Sequence, residues 1–499
     1  MHVRGVAGSR LVRGAAAAGA ATVLLLAYPL RADAHARITA VLPAPSSTVP
    51  GPIRQVLLKY NEPVDRSFFR VTVDADDGSA LSGRPVFQDD TTVVAPLRPS
   101  AAGVMVVTWL AVGVDAHPVQ GQFYFGVRTP ATQASLQSDI THISSRVGSF
   151  ESGAGGTALT GVIEAGRSVE IVLLYLVLGT VLTGVLVLRP RLVLAGAGGS
   201  PENRRACQVI LGAGIVSAAL VPLLFWLYAD RLEELIPGVG LSRILLSTIG
   251  VQWTVKTALW LGLVGLVAAI LQGAARGRRP DRRLLVGLVA LVVALAAAFV
   301  AGTHVGTGSV GPGWVYIPLM AAHVALTAFW AGGLLAILLV VFPSRDPVRI
   351  WAVVSRFSRF MTVTAGVLVA VGVLLLARLL VNFNALWCTG YGLVAGFKVA
   401  TVALALVIGL ANNRLVAANR GEEELPPAAR RMTRRSGPSV QALRRVVVSE
   451  AAVLLGVLVL AAVLGETQLP PLFNGRALPG EAAQSILGVT PSLVGSGCQ

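Results

Sequence analysis

Eight apolar runs dominate this chain, and each is long enough to cross a bilayer, which takes about 20 residues. They fall near residues 166–188, 206–229, 251–272, 284–302, 315–342, 360–381, 392–412 and 446–465. A bilayer supplies no water to satisfy backbone N–H and C=O groups, so segments of this length must be helices. The runs therefore predict a polytopic all-α bundle from 166 to 470. Composition agrees, with 54% hydrophobic and only 13% charged residues. A water-soluble domain carries about 25% charged residues.

Formal net charge is +16, a value that would suit a nucleic-acid partner. The distribution excludes that class. Arginines cluster in alternate short loops: Arg189, Arg191, Arg204 and Arg205, then Arg276, Arg278, Arg279, Arg282 and Arg283, then Arg345, Arg349, Arg356 and Arg359. A fourth group runs from Arg414 to Arg445. The positive-inside rule produces this pattern. It predicts that these four loops are cytoplasmic and that both ends of the bundle lie outside. No basic platform with interleaved aromatics is present to hold single strands.

The first 34 residues predict a signal peptide. Arg4, Arg10 and Arg13 precede the apolar stretch from Ala15 to Leu30, and Ala32-Asp33-Ala34 forms a cleavage box. Export places the segment from His35 onward outside, in agreement with the arginine pattern. The expected location is a bacterial-type inner membrane, with the β-rich segment and the C-terminal tail, 471–499, both extracytoplasmic.

From 35 to 130 the pattern changes to short β-rich runs broken by Gly, Pro and Asp. Val71 and Val73 alternate with Thr72, and Phe123 and Phe125 alternate with Tyr124. Period-2 strands at this spacing predict a small all-β sandwich of immunoglobulin-like or cupredoxin-like type. Residues 131–165, rich in Ser, Thr, Gly and Gln, predict a flexible linker.

Candidate chemistry lies in two places. In "VGVDAHPVQGQFYFGV", Asp115 and His117 are two residues apart. On a strand they leave the same face, roughly 7 Å apart at the backbone. Cleavage after Ala34 would give His35 a free α-amine beside its imidazole. Three nitrogens and one oxygen then make a tetragonal set that suits Cu(II). In the bundle, His304 precedes "VGTGSVGPG", while Met320 and His323 share a helix face. An imidazole with a thioether suits Cu(I). Lys398 lies in the seventh run and must pair or snorkel. Glu164, Arg167 and Glu170 begin the first run on one flank and read as an internally paired cluster.

The β-rich segment resembles CopC-type copper-binding domains. The resemblance rests on "HARITAVLPAPSSTVPGPIRQVLLKYNEPVD" and on "DAHPVQGQFYFGV", similar to a D-x-H-P-V-x-G-x-[FY]-x-F strand. It implies that His35, Asp115 and His117 bind Cu(II). Met105 is the only methionine of the segment, so a methionine-rich Cu(I) site is not expected there.

The bundle resembles CopD-type proteins. The relevant stretches are His323 with Trp330, Gly332, Gly333 and Leu334, then "YGLVAGFKVATVALALVIGLANNRL", then "LRRVVVSEAAVLLGVLVLAAVLGETQLPP". The joint resemblance implies copper capture outside, and transport, with import the expected direction. The alternative is a membrane-anchored copper-binding protein that buffers or delivers copper to an accepting protein, without transport. A third reading is a b-type cytochrome with His304 and His323 on one haem. No enzyme is the leading expectation. Neither a Walker A sequence nor Cys-x-x-Cys occurs, so an ATP-driven pump has no support.

Overall fold

The computed structural model describes residues 36–113 (apart from 37, 46, 61, 62, 76, 77 and 99–101), 118–129, 157–188, 201–278, 282–303, 313–380, 385–388, 390–423, 439–465, 472–473 and 476–477. Two four-stranded sheets form the N-terminal domain. One orders as β1 (Ile38–Leu42), β3 (Gln55–Tyr60), β6 (Thr92–Pro96) and β5 (Val86–Phe87). The other orders as β2 (Thr48–Val49), β8 (Pro118–Val127), β7 (Gly103–Val112) and β4 (Arg70–Ala75).

Alternation explains the packing. Val71 and Val73 are buried and Thr72 is not; Phe123 and Phe125 are buried and Tyr124 is half-exposed. The inward residues of β7 (Met105, Val107, Trp109 and Ala111) join those of β3 and β8 in one core. Each large apolar side chain buried this way contributes roughly 1.5–3 kcal/mol. Met105 is wholly inside this core, as its place in a strand predicts. Gly121 pairs with Trp109 across the β7–β8 ladder. A Cβ there would lie 2.6 Å from the indole ring, so only glycine lets Trp109 lie flat across β8.

The rest is helical. The helices are α1 (Thr157–Leu186), α2 (Pro201–Leu235), the short α3 (Leu241–Leu246), α4 (Thr248–Ala275) and α5 (Arg282–Ala301). A sixth, α6, begins as Gly313–Thr327 and continues to Ser344 through two π-helical segments, Ala328–Gly332 and Ile337–Val341. Next come α7 (Pro347–Leu380), the short α8 (Ala385–Cys388), α9 (Gly390–Glu423) and α10 (Val440–Gly465). Eight of these are long and apolar enough to span a membrane, among the described residues. They coincide with the eight runs in the sequence, and the protein is a multi-pass membrane protein.

The helices start earlier than hydropathy suggests. The first is already helical at Thr157, so residues 157–165 are not linker. Ile163 on this first stretch packs into the bundle core, which holds it in helical form. The sixth span begins at Pro347 rather than near 360, which places Arg349, Arg356 and Arg359 on the helix itself. Asp346 explains the start, because its Oδ1 accepts the backbone N–H groups of Val348 and Arg349, at 3.0 and 3.3 Å. Proline then fits the first helical position. Arg349 turns back to Glu202 at the start of α2 in a two-pronged ion pair, 3.0 and 2.7 Å. Hydropathy finds the apolar centre of each span, whereas caps and ion pairs set its ends.

One apolar cluster runs through the bundle, and it includes Phe68, Leu110 and Val112 of the sandwich. Leu110 and Val112 are the outward residues of β7. The sandwich therefore rests on the bundle through the outer face of its second sheet.

Candidate copper sites and a buried carboxylate

His35, Asp115, His117 and His304 lie outside the described residues. The strands that flank the first three in sequence are described. Ile38, near the start of β1, pairs with Tyr60 at the end of β3. Four residues on, Val64 bridges to Gly113, and the Asp65 N–H donates to the Val112 carbonyl at 2.8 Å. Val112 pairs with Pro118, so the ends of β7 and β8 on either side of Asp115 and His117 in sequence lie together. The start of β1 and the paired ends of β7 and β8 thus belong to one end of the sandwich. Phe68, Leu110 and Val112 lie at that same end, so it is the end that meets the bundle.

In the bundle, Met320 and His323 occupy successive turns of α6. Met320 packs among apolar residues, with Val371 and Leu375 of α7. His323 lies over Gly372 of α7, where a Cβ would come within 3.4 Å of its Cε1. Its Nδ1 is buried and has no hydrogen-bond partner among the described residues. Lys398 of α9 acts on the ring electrostatically. No three of His, Cys, Asp and Glu converge on one point among the described residues. Met320 and His323 supply two ligand atoms at most.

The polar residues at the start of α1 also reach across to neighbouring helices. Glu170 faces Lys256 of α4 at 3.9 Å. Arg167 lies over Trp253, 5.4 Å from the ring centroid, and Lys256 lies near the same ring at 5.7 Å. Tyr228 of α2 stacks on it at 6.4 Å. Cation–π contact and ion pairing thus tie α1, α2 and α4 together. The sequence offered acidic and basic residues within α1, but not the facing tryptophan.

A second buried centre was not visible as a site in the sequence. Glu450 of α10 is 3% exposed. Its Oε1 accepts the Trp330 Nε1–H at 2.8 Å and its Oε2 accepts the Asn412 Nδ2–H at 3.2 Å. Asn413, next in sequence, accepts a hydrogen bond from Ser358 of α7 at 2.9 Å. Trp330 sits in the first π-helical segment, and such segments recur at functional sites. A close crossing holds that segment: a Cβ on Gly332 would overlap the backbone carbonyl of Tyr175 in α1. Hence the three bundle stretches singled out in the sequence, those of Trp330, Asn412 and Glu450, meet in one place. A glutamate inside an apolar run was the available signal.

Comparison with known proteins matches both parts. Residues 38–128 match the family model described as the CopC domain, and residues 351–464 match that described as Copper resistance protein D. The chain is 24% identical over 468 residues to the Bacillus subtilis (strain 168) copper transport protein CutJ, covering 90% of this chain and 77% of that one. Among solved structures, CopC from Methylosinus trichosporium OB3b is 19% identical, covering 19% of this chain and 93% of that one, with a TM-score of 0.18. PcoC from Escherichia coli, described as a methionine-rich copper resistance protein, is 24% identical over 19% of this chain and 99% of that one, also with a TM-score of 0.18.

Proposed function

We propose, from the premise that this chain joins a CopC domain to a CopD-type membrane bundle, that it captures Cu(II) outside the cytoplasm and transports copper through the bundle. Copper handling in resistance or transport is the general function; capture outside and inward movement are the finer reading. The captured ion would be held by His35, through ring and α-amine, with Asp115 and His117. Nitrogen and carboxylate donors in tetragonal arrangement favour Cu(II). Both the amine and the imidazole lose their protons near neutral pH, so binding is possible there.

One observation carries the reading. The end of the sandwich where β1 starts and β7 and β8 pair is the end whose residues join the bundle cluster. A carrier that captured copper and never passed it on would have no need of that arrangement. In the bundle, His323 has a buried ring nitrogen without a partner among the described residues and is the first group we assign to the copper path, with Met320 beside it. His304 is the remaining candidate for the path. If the copper moved there is Cu(I), a one-electron donor outside this chain must reduce the captured Cu(II) first; the protein is read as a carrier rather than an enzyme.

A second reading is a membrane-anchored protein that buffers copper or delivers it to an accepting protein. The apolar packing of Met320 favours it, because a core methionine is not free to ligate. Cellular copper accumulation separates the two. Deletion of the chain and His323→Ala should both lower accumulation if the bundle transports. Unchanged accumulation in both strains, with Cu(II) binding intact, would leave only the second reading.

A further inference from the structure

The carboxylate of Glu450 lies at mid-helix in an apolar run and faces two neutral donors, Trp330 and Asn412. Gly409 of α9 makes room for it, since a Cβ there would stand 3.0 Å from Oε1. The charged and titratable groups on the helices packed against α10 are Glu164, Arg167, Glu170 and Tyr175 on α1, Tyr316 and His323 on α6, Arg349, Arg356, Arg359 and Arg378 on α7, and Tyr391, Lys398, Arg414, Arg420, Glu422 and Glu423 on α9. Arg444 and Arg445 precede Glu450 on α10. Among the described residues none of them hydrogen-bonds to Glu450, and none exerts a resolved charge effect on it. A carboxylate kept at this depth without a counter-ion is costly. It therefore has a physical reason to bind a cation.

The surroundings select which one. Two of the polar groups against the carboxylate present N–H hydrogens, which would face a metal ion with their positive ends. Cu(I) prefers sulfur and imidazole, and the nearest such pair on α6 is about two turns away, at Met320 and His323. A proton needs a single lone pair and no coordination shell. Asn412 suits both states. As the structure stands, its amide donates to the carboxylate, while its Oδ1 is buried with no partner among the described residues. Turned over about its last bond, the same amide would accept the O–H of a neutral carboxyl. Thr327 extends the file. Its buried hydroxyl has no partner among the described residues, and it stands between His323 and Trp330 on one face of α6.

We propose that Glu450 is an intramembrane proton site, with Trp330 and Asn412 as its positioning residues. The carboxyl takes up one proton and releases it as the bundle changes state. The site stands on the geometry of the three residues; only its coupling to copper movement rests on the transport reading above.

Infrared difference spectra of the purified full-length protein, recorded as pH is stepped, test the site directly. A protonated-carboxyl band should grow as pH falls and vanish in Glu450→Gln. Trp330→Phe should shift both the band and its midpoint, which a purely structural role would not do. Should Glu450→Gln fail to fold, Trp330→Phe and Asn412→Leu carry the assignment through the same two readouts. A titrating band that these variants leave unchanged, or no such band, would overturn it. Displacement of the band by Cu(I) at constant pH would assign the node to metal and overturn it equally. Coupling is read separately: the pH dependence of copper accumulation should be lost in Glu450→Gln. If no strain accumulates copper, the transport reading fails while the spectra still decide the site.

Discussion

The sandwich and the bundle hold their polar chemistry in opposite ways. In the sandwich, the proposed copper ligands His35, Asp115 and His117 fall, in sequence, before β1 and between β7 and β8. The strands on either side of them in sequence pack as two sheets around one core. In the bundle, His323, Trp330, Asn412 and Glu450 all lie within long helices, packed from several sides. Capture from solution needs access and fast exchange, which loops and termini provide. Polar groups inside a membrane must be satisfied by neighbours already in place. The same chain thus joins a proposed capture site between strands in sequence to a polar centre assembled across packed helices.

The sharpest way to break this contrast is to disturb each frame. Gly332→Ala drives a Cβ into the backbone of α1, which no rotamer relieves. It should cost more than about 3 kcal/mol, since backbone must move, and size-exclusion chromatography should show loss of the monodisperse protein. Phe125→Ala empties a fully buried position of the sandwich core. The expected loss is about 3–5 kcal/mol. Circular dichroism on heating should show the β transition falling while the helical signal persists. A simultaneous fall of both would mean that the two regions fold as one unit.

Removing a proposed copper ligand should act on binding and not on stability. His35→Ala in the processed chain should weaken Cu(II) by at least about 100-fold, the upper range for weaker perturbations of a metal site. Competition with a chelator of known affinity checks this. An unprocessed chain that retains residues 1–34 should show a similar loss, because the α-amine is then an amide.

Trp330→Phe keeps the ring and deletes one hydrogen bond to a buried carboxylate. Bonds to charged groups are worth about 1.5–3 kcal/mol, so helical melting should shift by that amount, without loss of assembly. The smallest effect belongs to Asp89, at the exposed turn before β6. Its carboxylate accepts the Thr91 N–H and hydroxyl, at 2.7 and 2.8 Å. The Thr91 hydroxyl, then its N–H, hold the carboxyl below the usual range. Its contribution is therefore complete above the ordinary carboxylate range and is lost as pH falls through the lowered value. Asp89→Asn should slightly weaken the sandwich at neutral pH and match the wild type in acid, as read by melting curves.

Sequence alone determined the architecture. Bilayer thickness fixes the length of an apolar run, and period-2 alternation fixes which strand faces are buried, so eight spans and a sandwich were both legible. Met105 as core followed from the same alternation. The proposed copper ligands of the sandwich rest on a sequence pattern, His35 after the cleavage box and Asp115 two before His117, and lie outside the described residues. Tertiary structure decided what meets what. Glu450 read as one charge in an apolar run until α6 and α9 brought Trp330 and Asn412 to it. Arg167 read as a partner for its neighbours on α1, and packing added Trp253 of α4 beneath it. Arginines expected in a loop proved to be the first turns of α7, fixed by Asp346 and Glu202. Hydropathy and periodicity are local sums along the chain, whereas a buried hydrogen bond depends on which helix lies opposite, and that is set only by packing.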